Sequence, residues 1–164
     1  MQGLVHEGIL RHAPNRGSFV PKMTREDVHD IYQIRIALET EAARDIIQRN
    51  LSADALVQSL AELSNLRAST PWRRVRDADL TFHRALIDSA GNERLSRLFG
   101  SLEGEVRLCM EHFRLHFENP ALVTAEHTSL FEAIMSRNAR HATGELRRHL
   151  LDAAAEIVDS AGRP

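Results

Sequence analysis

The fold of this chain is decided by the stretch TREDVHDIYQIRIALETEAARDI, residues 24–46. Its apolar residues recur every three or four positions, which is the spacing of one face of an α-helix. They are Val28, Ile31, Leu38, Ala42 and Ile46. Thr24 stands three residues before Asp27, the pattern of a capping box in which Asp replaces the usual Glu. The stretch therefore predicts an amphipathic helix that begins just after Thr24.

Five segments downstream repeat this helical pattern. Their apolar faces carry, in chain order, Leu56, Leu60, Leu63 and Leu66; Val75, Phe82, Leu86 and Ala90; Leu95, Leu98, Phe99, Leu102, Val106, Met110, Phe113 and Phe117; Val123, Leu130 and Ile134; and Ala142, Leu146, Ala153 and Ile157. Residues that break or restart helices separate the segments, among them Pro71, Gly91, Asn92, Asn119 and Asn138. No alternating strand pattern follows residue 24. The sequence predicts an all-α fold, an antiparallel helical bundle.

The first 23 residues have a different character. They are rich in Gly and Pro, and two short segments, Gly8–His12 and Ser18–Pro21, flank a turn-forming stretch at 13–17. This arrangement predicts a short β-hairpin. We therefore expect two parts, a hairpin unit in residues 1–23 and a helical domain in residues 24–164.

The composition is that of a globular protein. Of the 164 residues, 43% are hydrophobic and 27% are charged, which argues against disorder. The 21 basic and 23 acidic residues give a formal charge of −2, so strong nonspecific nucleic-acid binding by the whole chain is not expected. The single cysteine excludes an internal disulfide framework. Neither a membrane-spanning run nor an export signal is evident, and we expect a cytoplasmic protein without a membrane partner.

Ionisable residues interrupt the apolar faces of four predicted helices. Asp79 and His83 lie on the third, His127 on the fifth and His149 on the sixth, while Arg35 lies on the first. Asp79 and His83 are four residues apart and therefore neighbours on one helical face. A carboxylate buried without a partner is costly, so it has to be paired, protonated or bound to a metal. The pattern predicts that the five side chains point toward one core.

One carboxylate and three imidazoles suit a borderline divalent metal ion. We expect Asp79, His83, His127 and His149 to bind zinc foremost, with nickel, manganese or iron as alternatives. The opposing interpretation is that these are hydrogen-bonded core residues without a ligand. Arg35 pairs with Asp79, pairs with Glu39 on its own helix, or binds a ligand carboxylate in a bidentate manner.

Other candidate sites are weaker. His112 and His116 are also four residues apart, but His112 falls away from the centre of the apolar face and is interpreted as a surface residue. The basic run at 73–76, including Arg73 and Arg76, is expected to be solvated. Cys109 adjoins an apolar face and is expected in the core. No nucleotide-binding, metalloprotease or serine-hydrolase motif is present, so we expect no catalytic residues and no enzyme.

The motifs together resemble the FadR-type subgroup of the GntR family of transcriptional regulators. The segments 7–10 (EGIL) and 14–20 (PNRGSFV) resemble the end of a winged helix-turn-helix and its wing. The segments 35–39 (RIALE) and 79–83 (DLTFH), with Gly91-Asn92, Glu126-His127 and His149, resemble the FCD effector domain. The resemblance covers essentially the whole chain.

The resemblance implies a ligand-responsive regulator that binds a small carboxylate metabolite over a metal ion. It assigns the metal to Asp79, His83, His127 and His149, and it places Arg35 in the ligand pocket. It also implies a homodimer that binds operator DNA. Two alternatives remain, a metal-dependent enzyme built on the same pocket and an inert helical dimerisation module.

The resemblance to the DNA-binding unit is limited to its last part. Residues 1–23 match the wing, whereas the helix that would enter the major groove is largely missing from them. Arg11, Arg16 and Lys22 can contact phosphates, which position a protein on DNA without specifying a sequence. We expect weak or no specific DNA binding by the chain as given.

Overall fold

The secondary structure consists of two short strands followed by helices. The computed structural model describes residues 11–13, 17–19, 23–112 and 119–160. In that part of the chain the strands are β1 (Arg11–Ala13) and β2 (Gly17–Phe19), and the helices are α1 (Arg25–Gln48), α2 (Asp54–Ser64), α3 (Trp72–Ser89), α4 (Glu93–His112), α5 (Pro120–Met135) and α6 (Ala139–Ser160). The prediction of a helical fold after residue 24 is confirmed. None of these helices has the length and apolar character needed to cross a membrane.

Helix α1 begins at the capping box that the sequence predicts. The side-chain hydroxyl of Thr24 accepts a hydrogen bond from the backbone N–H of Asp27 at 3.1 Å. The carboxylate of Asp27 accepts one in return from the backbone N–H of Thr24 at 2.7 Å. Both donors belong to the end of the helix, where no carbonyl of the preceding turn is available, so the two bonds fix the start of α1.

Three of the residues predicted to separate the later helices also cap the N-termini of the helices that follow them. The side-chain oxygens of Asn92, Asn119 and Asn138 each accept a hydrogen bond from a backbone N–H in the first turn of the next helix, at 3.1, 3.0 and 3.1 Å. Gly91 has a φ of 65°, in the left-handed region that glycine adopts without a steric penalty. These local interactions explain why the chain turns sharply between α3 and α4 and restarts as a helix.

Helix α1 lies at the centre of the bundle, where it contacts α3, α4, α5 and α6, most extensively α6. Two apolar clusters fill the interior. The first contains Ala42, Ala43, Ile46, Ala53, Leu56, Leu63, Val75, Phe82, Leu86, Ile87, Ala90, Leu95, Phe99, Val123, Leu130, Ala133, Ile134, Ala142 and Leu146. The second contains Val28, Ile31, Tyr32, Ile36, Leu80, Val106, Cys109, Met110, Leu150 and Ile157.

A polar layer lies where the two apolar clusters meet. On α1 the second cluster ends at Ile36 and the first begins at Ala42, and the fully buried Glu39 lies between them. On α6 the first cluster ends at Leu146 and the second begins at Leu150, and His149 lies between them. On both α1 and α6, a polar residue of the candidate site therefore lies at the junction of the two clusters.

Arg76 is buried, so the expectation that the whole basic run at 73–76 is solvated is wrong for this residue. The residue is only 6% exposed, and its guanidinium contacts the carboxylates of Asp77 and of Glu111 on α4. The neighbouring Arg73 is exposed, as expected. Because α4 packs on α3 and brings Glu111 to this position, Arg76 can be buried with its charge compensated.

The two strands pair antiparallel, with Arg11 opposite Phe19 and Ala13 opposite Gly17. Each strand has three residues. They lie inside or beside the segments Gly8–His12 and Ser18–Pro21, most of whose other residues are outside the described part of the chain. The pairing alone does not identify the unit as the wing of a DNA-binding domain, which stays a prediction.

Candidate metal centre

Four of the predicted site residues meet inside the bundle. Asp79 and His83 come from adjacent turns of α3, His127 comes from α5 and His149 from α6. Each offers one carboxylate oxygen or ring nitrogen, and these four atoms lie within 4.8 Å of one another. The structure thus brings together the residues that interrupt the apolar faces of three helices.

The ring nitrogens and the carboxylate of Asp79 face one point. One oxygen of Asp79 lies 3.2 Å from Nε2 of His127, and the other lies 4.0 Å from Nε2 of His83. The two Nε2 atoms are 3.4 Å apart. The rings of His83 and His149 are stacked, with their centroids 5.4 Å apart. Potential ligand atoms from separate helices therefore converge at a spacing that a single cation can bridge.

The site is nearly dry but not sealed. His127 is fully buried and His83 is 1% exposed, whereas the side chains of Asp79 and His149 are 12% and 10% exposed. A cavity of about 30 Å³ beside His149 is lined by Glu126, Leu130, Arg148, His149, Asp152, Ala153 and Glu156. Nδ1 of His149 lies 3.5 Å from the half-exposed carboxylate of Glu126. The edge of the site at α6 therefore lies closest to solvent.

In two of the histidines, Nδ1, the ring nitrogen that faces away from Asp79, has a hydrogen-bond partner. Nδ1 of His127 lies 2.7 Å from the carbonyl oxygen of Val123, to which it can only donate. Nδ1 of His83 lies 2.6 Å from a carboxylate oxygen of Glu39. Partners of this kind fix the ring orientation and leave Nε2 as the inner nitrogen. In both residues Nε2 points toward Asp79.

Burial would raise the pKa of Asp79, but other effects outweigh it. The hydrogen bond from His127 and the electrostatic interactions with His83, His127 and Arg35 hold the pKa of this carboxyl well below its usual range. Asp79 is therefore ionised at neutral pH. An anionic oxygen that is largely buried attracts cations strongly.

The environment shifts the pKa values of the two inner histidines in opposite directions. Burial lowers the pKa of His83 to about 4, although the neighbouring Glu39 opposes this shift. Burial would also lower the pKa of His127, but its hydrogen bond and charge interaction with Asp79 prevail and raise it. At neutral pH His83 is therefore a neutral imidazole, whereas the interaction with Asp79 favours the protonated form of His127.

Arg35 is buried next to this cluster. Its Nε donates to the carboxylate of Glu39 at 2.8 Å, and its guanidinium lies 4.8 Å from the centre of the Tyr32 ring. Its Nη2 is buried and has no hydrogen-bond partner in the described part of the chain. Of the two ion-pair partners considered from the sequence, Glu39 is the one it binds. Its positive charge nevertheless acts on Asp79 through space.

The sequence suggested Glu39 as an ion-pair partner but not as part of the site. Glu39 is fully buried and contacts both Arg35 and His83. The sequence does contain a pattern that indicates a buried Glu39, because this residue is four positions after Arg35 and falls on the apolar face of α1. Its contact with His83 joins residues 44 positions apart and has no local signature.

Several other predicted residues cannot be placed. Arg16, Lys22 and His116 lie outside the described residues, and for Arg11 and His112 the backbone alone is described. The predictions that concern DNA contacts and the surface position of His112 therefore stay predictions.

Comparison with known proteins shows which family the chain resembles. Residues 30–152 match the FCD domain model. The chain is 33% identical over 175 residues to the "uncharacterized HTH-type transcriptional regulator BphR" of Paraburkholderia xenovorans (strain LB400), a match that covers 97% of this chain and 68% of that protein. Both the family model and this relative span most of the chain.

Solved structures have the same fold. A transcriptional regulator GntR from Rhodococcus sp. RHA1 superimposes with a TM-score of 0.82 at 26% identity, over 96% of this chain and 76% of that one. The FCD domain of TM0439 is known in a Zn²⁺-bound form, which matches with a TM-score of 0.70 at 22% identity over 87% of this chain and 99% of that one. A structure described as metal-free also exists for that domain.

Proposed function

The chain belongs to the FCD domain family of GntR-type transcriptional regulators, and on that premise we propose that its helical part binds a divalent metal ion and a small carboxylate metabolite to modulate DNA binding. The observation that carries this proposal is the convergence of four ligand atoms within 4.8 Å beside a buried arginine. The proteins named in the comparison are regulators of transcription, and we infer no enzymatic activity from the site.

The donor set fits a borderline metal ion. One carboxylate and three imidazoles provide oxygen and nitrogen ligands, and Glu39 and the Val123 carbonyl orient two of the rings. Zinc is the ion we expect, and nickel, manganese and iron are alternatives with similar ligand preferences. The related FCD domain with bound Zn²⁺ supports this choice at the level of the fold.

Asp79, His83, His127 and His149 would hold the ion. When bound, it would supply a positive centre that attracts an anionic ligand into the bundle. Nε2 of His127 lies 3.2 Å from an oxygen of Asp79, and a cation bound between these two atoms would take the place of their hydrogen bond. The dry surroundings of His83 and His127 strengthen each of these electrostatic interactions.

Arg35 is the candidate for recognition of the ligand carboxylate. A buried guanidinium nitrogen without a partner is costly, and a carboxylate oxygen would satisfy it with a charge-assisted hydrogen bond. Glu39 accepts a hydrogen bond from the neighbouring Nε and thereby fixes the direction of the guanidinium. An anion placed between Arg35 and the metal ion would interact with both.

A ligand can act as a signal when it binds two arrangements of the regulator with different affinities. We propose that the domain, residues 24–164, forms a homodimer and that ligand binding biases the placement of its DNA-binding units. We assign residues 1–23 to the end of such a unit, with the hairpin β1–β2 as its wing. Operator DNA is the proposed partner, with Arg11, Arg16 and Lys22 near its phosphates.

A calorimetric titration tests the ligand proposal. The zinc-loaded protein is titrated with a panel of mono- and dicarboxylates, alongside Arg35→Met and the matched control Arg44→Met, which replaces a half-exposed arginine of the same helix. We expect at least one carboxylate to bind the wild type and the control, and to bind Arg35→Met at least about tenfold more weakly. Equal affinity for all three proteins would contradict the role of Arg35.

A further inference from the structure

We propose that Glu39 is the positioning residue of this site, a single carboxylate that fixes His83 for metal binding and Arg35 for anion binding. The inference rests on the proposed function, since it concerns the same site, and it adds a residue that neither the metal ligand set nor the ligand contact includes. It makes the metal-binding half and the anion-binding half of the pocket dependent on one side chain of α1.

The two oxygens of Glu39 are used for different partners. Oε2 lies 2.6 Å from Nδ1 of His83 on α3, and Oε1 accepts a hydrogen bond from Nε of Arg35 at 2.8 Å. Glu39 is fully buried, so water does not compete for either oxygen. The carboxylate is therefore a bridge between α1 and α3, at the level where the two apolar clusters meet.

The contact with His83 determines which ring nitrogen is available to a metal. A carboxylate that accepts a hydrogen bond from Nδ1 keeps the proton on that atom, and the lone pair is then on Nε2. Nε2 of His83 is the atom that faces Asp79 and His127. Without Glu39 the ring could carry its proton on either nitrogen, and the form with a protonated Nε2 cannot bind a cation there.

The contact with Glu39 occupies one nitrogen of the Arg35 guanidinium and leaves Nη2 for another partner. A carboxylate whose sole role was to neutralise this arginine would engage two guanidinium nitrogens in the usual bidentate geometry. Here Glu39 takes Nε through one oxygen, while Nη2 has no partner in the described residues. The second oxygen is committed to His83 instead. This division of contacts indicates a role beyond simple charge neutralisation.

The test has to separate positioning from folding, because removal of Glu39 alone would leave Arg35 as a buried, unpaired charge. Arg35→Met provides a background without that cation. Adding Glu39→Leu in this background removes the acceptor for His83 and leaves no unpaired charge. Glu41→Leu in the same background is the matched control, since Glu41 is a half-exposed glutamate on the same helix. Circular dichroism and thermal unfolding report whether all variants fold.

The first readout needs no metal. Long-range proton–nitrogen correlation NMR of the imidazoles reports which nitrogen of His83 is protonated. We expect Nδ1 to be protonated in the wild type, in Arg35→Met and in the control, and a mixture of both tautomers when Glu39→Leu is added. A His83 tautomer that is the same with and without Glu39 would overturn the inference.

The second readout is the affinity for zinc alone, measured by competition with a chelator. Loss of an outer partner of a metal-binding histidine typically weakens metal binding by about 10- to 100-fold. We expect a loss of that size when Glu39→Leu is added to Arg35→Met, and no loss with Glu41→Leu. Equal zinc affinities would overturn the inference while leaving the proposed metal site intact. Failure of the wild type to bind zinc would instead contradict the proposed function.

Discussion

Asp79 sets the electrostatic character of the buried site. Its carboxylate is ionised in nearly dry surroundings because His127 donates a hydrogen bond to it and because positive charges lie nearby. Three imidazoles complete the group, and a cation that binds there would replace the contact between Nε2 of His127 and Asp79. The chemistry of the site therefore follows from single residues whose pKa values are shifted by their neighbours.

A prediction at the scale of the residue concerns Cys109. Burial raises the pKa of this thiol from about 9 to about 12. Above pH 9 the unfolded chain loses the thiol proton while the folded protein keeps it, so the free energy of unfolding decreases with increasing pH up to the pKa of the folded state. Tyr32, whose pKa burial also raises, adds to this effect above pH 10.

Urea unfolding between about pH 8 and about pH 10.5 measures this dependence, with a loss of up to about 1.4 kcal/mol per pH unit for each group. The slope should be smaller in Cys109→Ala, because the titrating thiol is absent. Identical slopes for the variant and the wild type would show that Cys109 does not contribute. The expected effect is distinct from the metal site, since Cys109 belongs to the second apolar cluster.

Residues of the site differ in how far the sequence predicts them. Asp79, His83, His127 and His149 were predictable as a converging group, because ionisable side chains on apolar helical faces have to find partners inside the protein. The burial of Arg76 was not predictable from the sequence, since it depends on Glu111, which is 35 positions away on another helix. Glu39 was predictable as a neighbour of Arg35 but not as a partner of His83. Local periodicity determines which face a residue is on, not which residue it meets.

At the scale of the element, helix ends were predicted well because they depend on local interactions. The capping box at Thr24 and the caps at Asn92 and Asn119 join residues at most three positions apart. The packing between helices has no such short-range signal. Sequence alone therefore predicts the helices and their faces, whereas the level at which the polar layer divides the two apolar clusters comes from the tertiary structure.

Arg76 provides a prediction about the contact between α3 and α4. Arg76→Ala removes the hydrogen bonds of a buried guanidinium to Asp77 and Glu111, and should lower the free energy of unfolding by about 1–3 kcal/mol. Arg73→Ala is the control, because Arg73 is exposed on the same helix and lies 3.6 Å from the same Glu111. It should change stability little. Urea unfolding of both variants measures the difference, and equal losses would be inconsistent with a structural role for Arg76.

At the scale of the whole molecule, the metal site joins three helices. Asp79 and His83 on α3, His127 on α5 and His149 on α6 come together only in the folded bundle. A metal ion that binds the folded protein and not the unfolded chain stabilises the fold by mass action. Buried ionisable side chains without a charged partner cost stability. A bound metal ion would provide that partner and would connect the three helices through the interior.

Removal of the metal should consequently lower the melting temperature. At free zinc about a hundred times its dissociation constant the gain is about 2.7 kcal/mol, which corresponds to roughly 5–10 °C for a domain of this size. We expect a decrease of that order when the zinc-loaded protein is treated with a chelator, measured by scanning calorimetry. Asp79→Ala should show no comparable response. A melting temperature that is independent of zinc in the wild type would be the contrary result.

The most direct test of the central claim is native mass spectrometry of the protein after zinc loading and dialysis. We predict about one zinc ion per chain in the wild type. The same content is expected in Asp88→Ala, which removes an exposed aspartate of the same helix, and no retained ion in Asp79→Ala. A wild type that retains no zinc, or an Asp79→Ala variant that retains as much as the wild type, would contradict the assignment of these side chains to a metal centre.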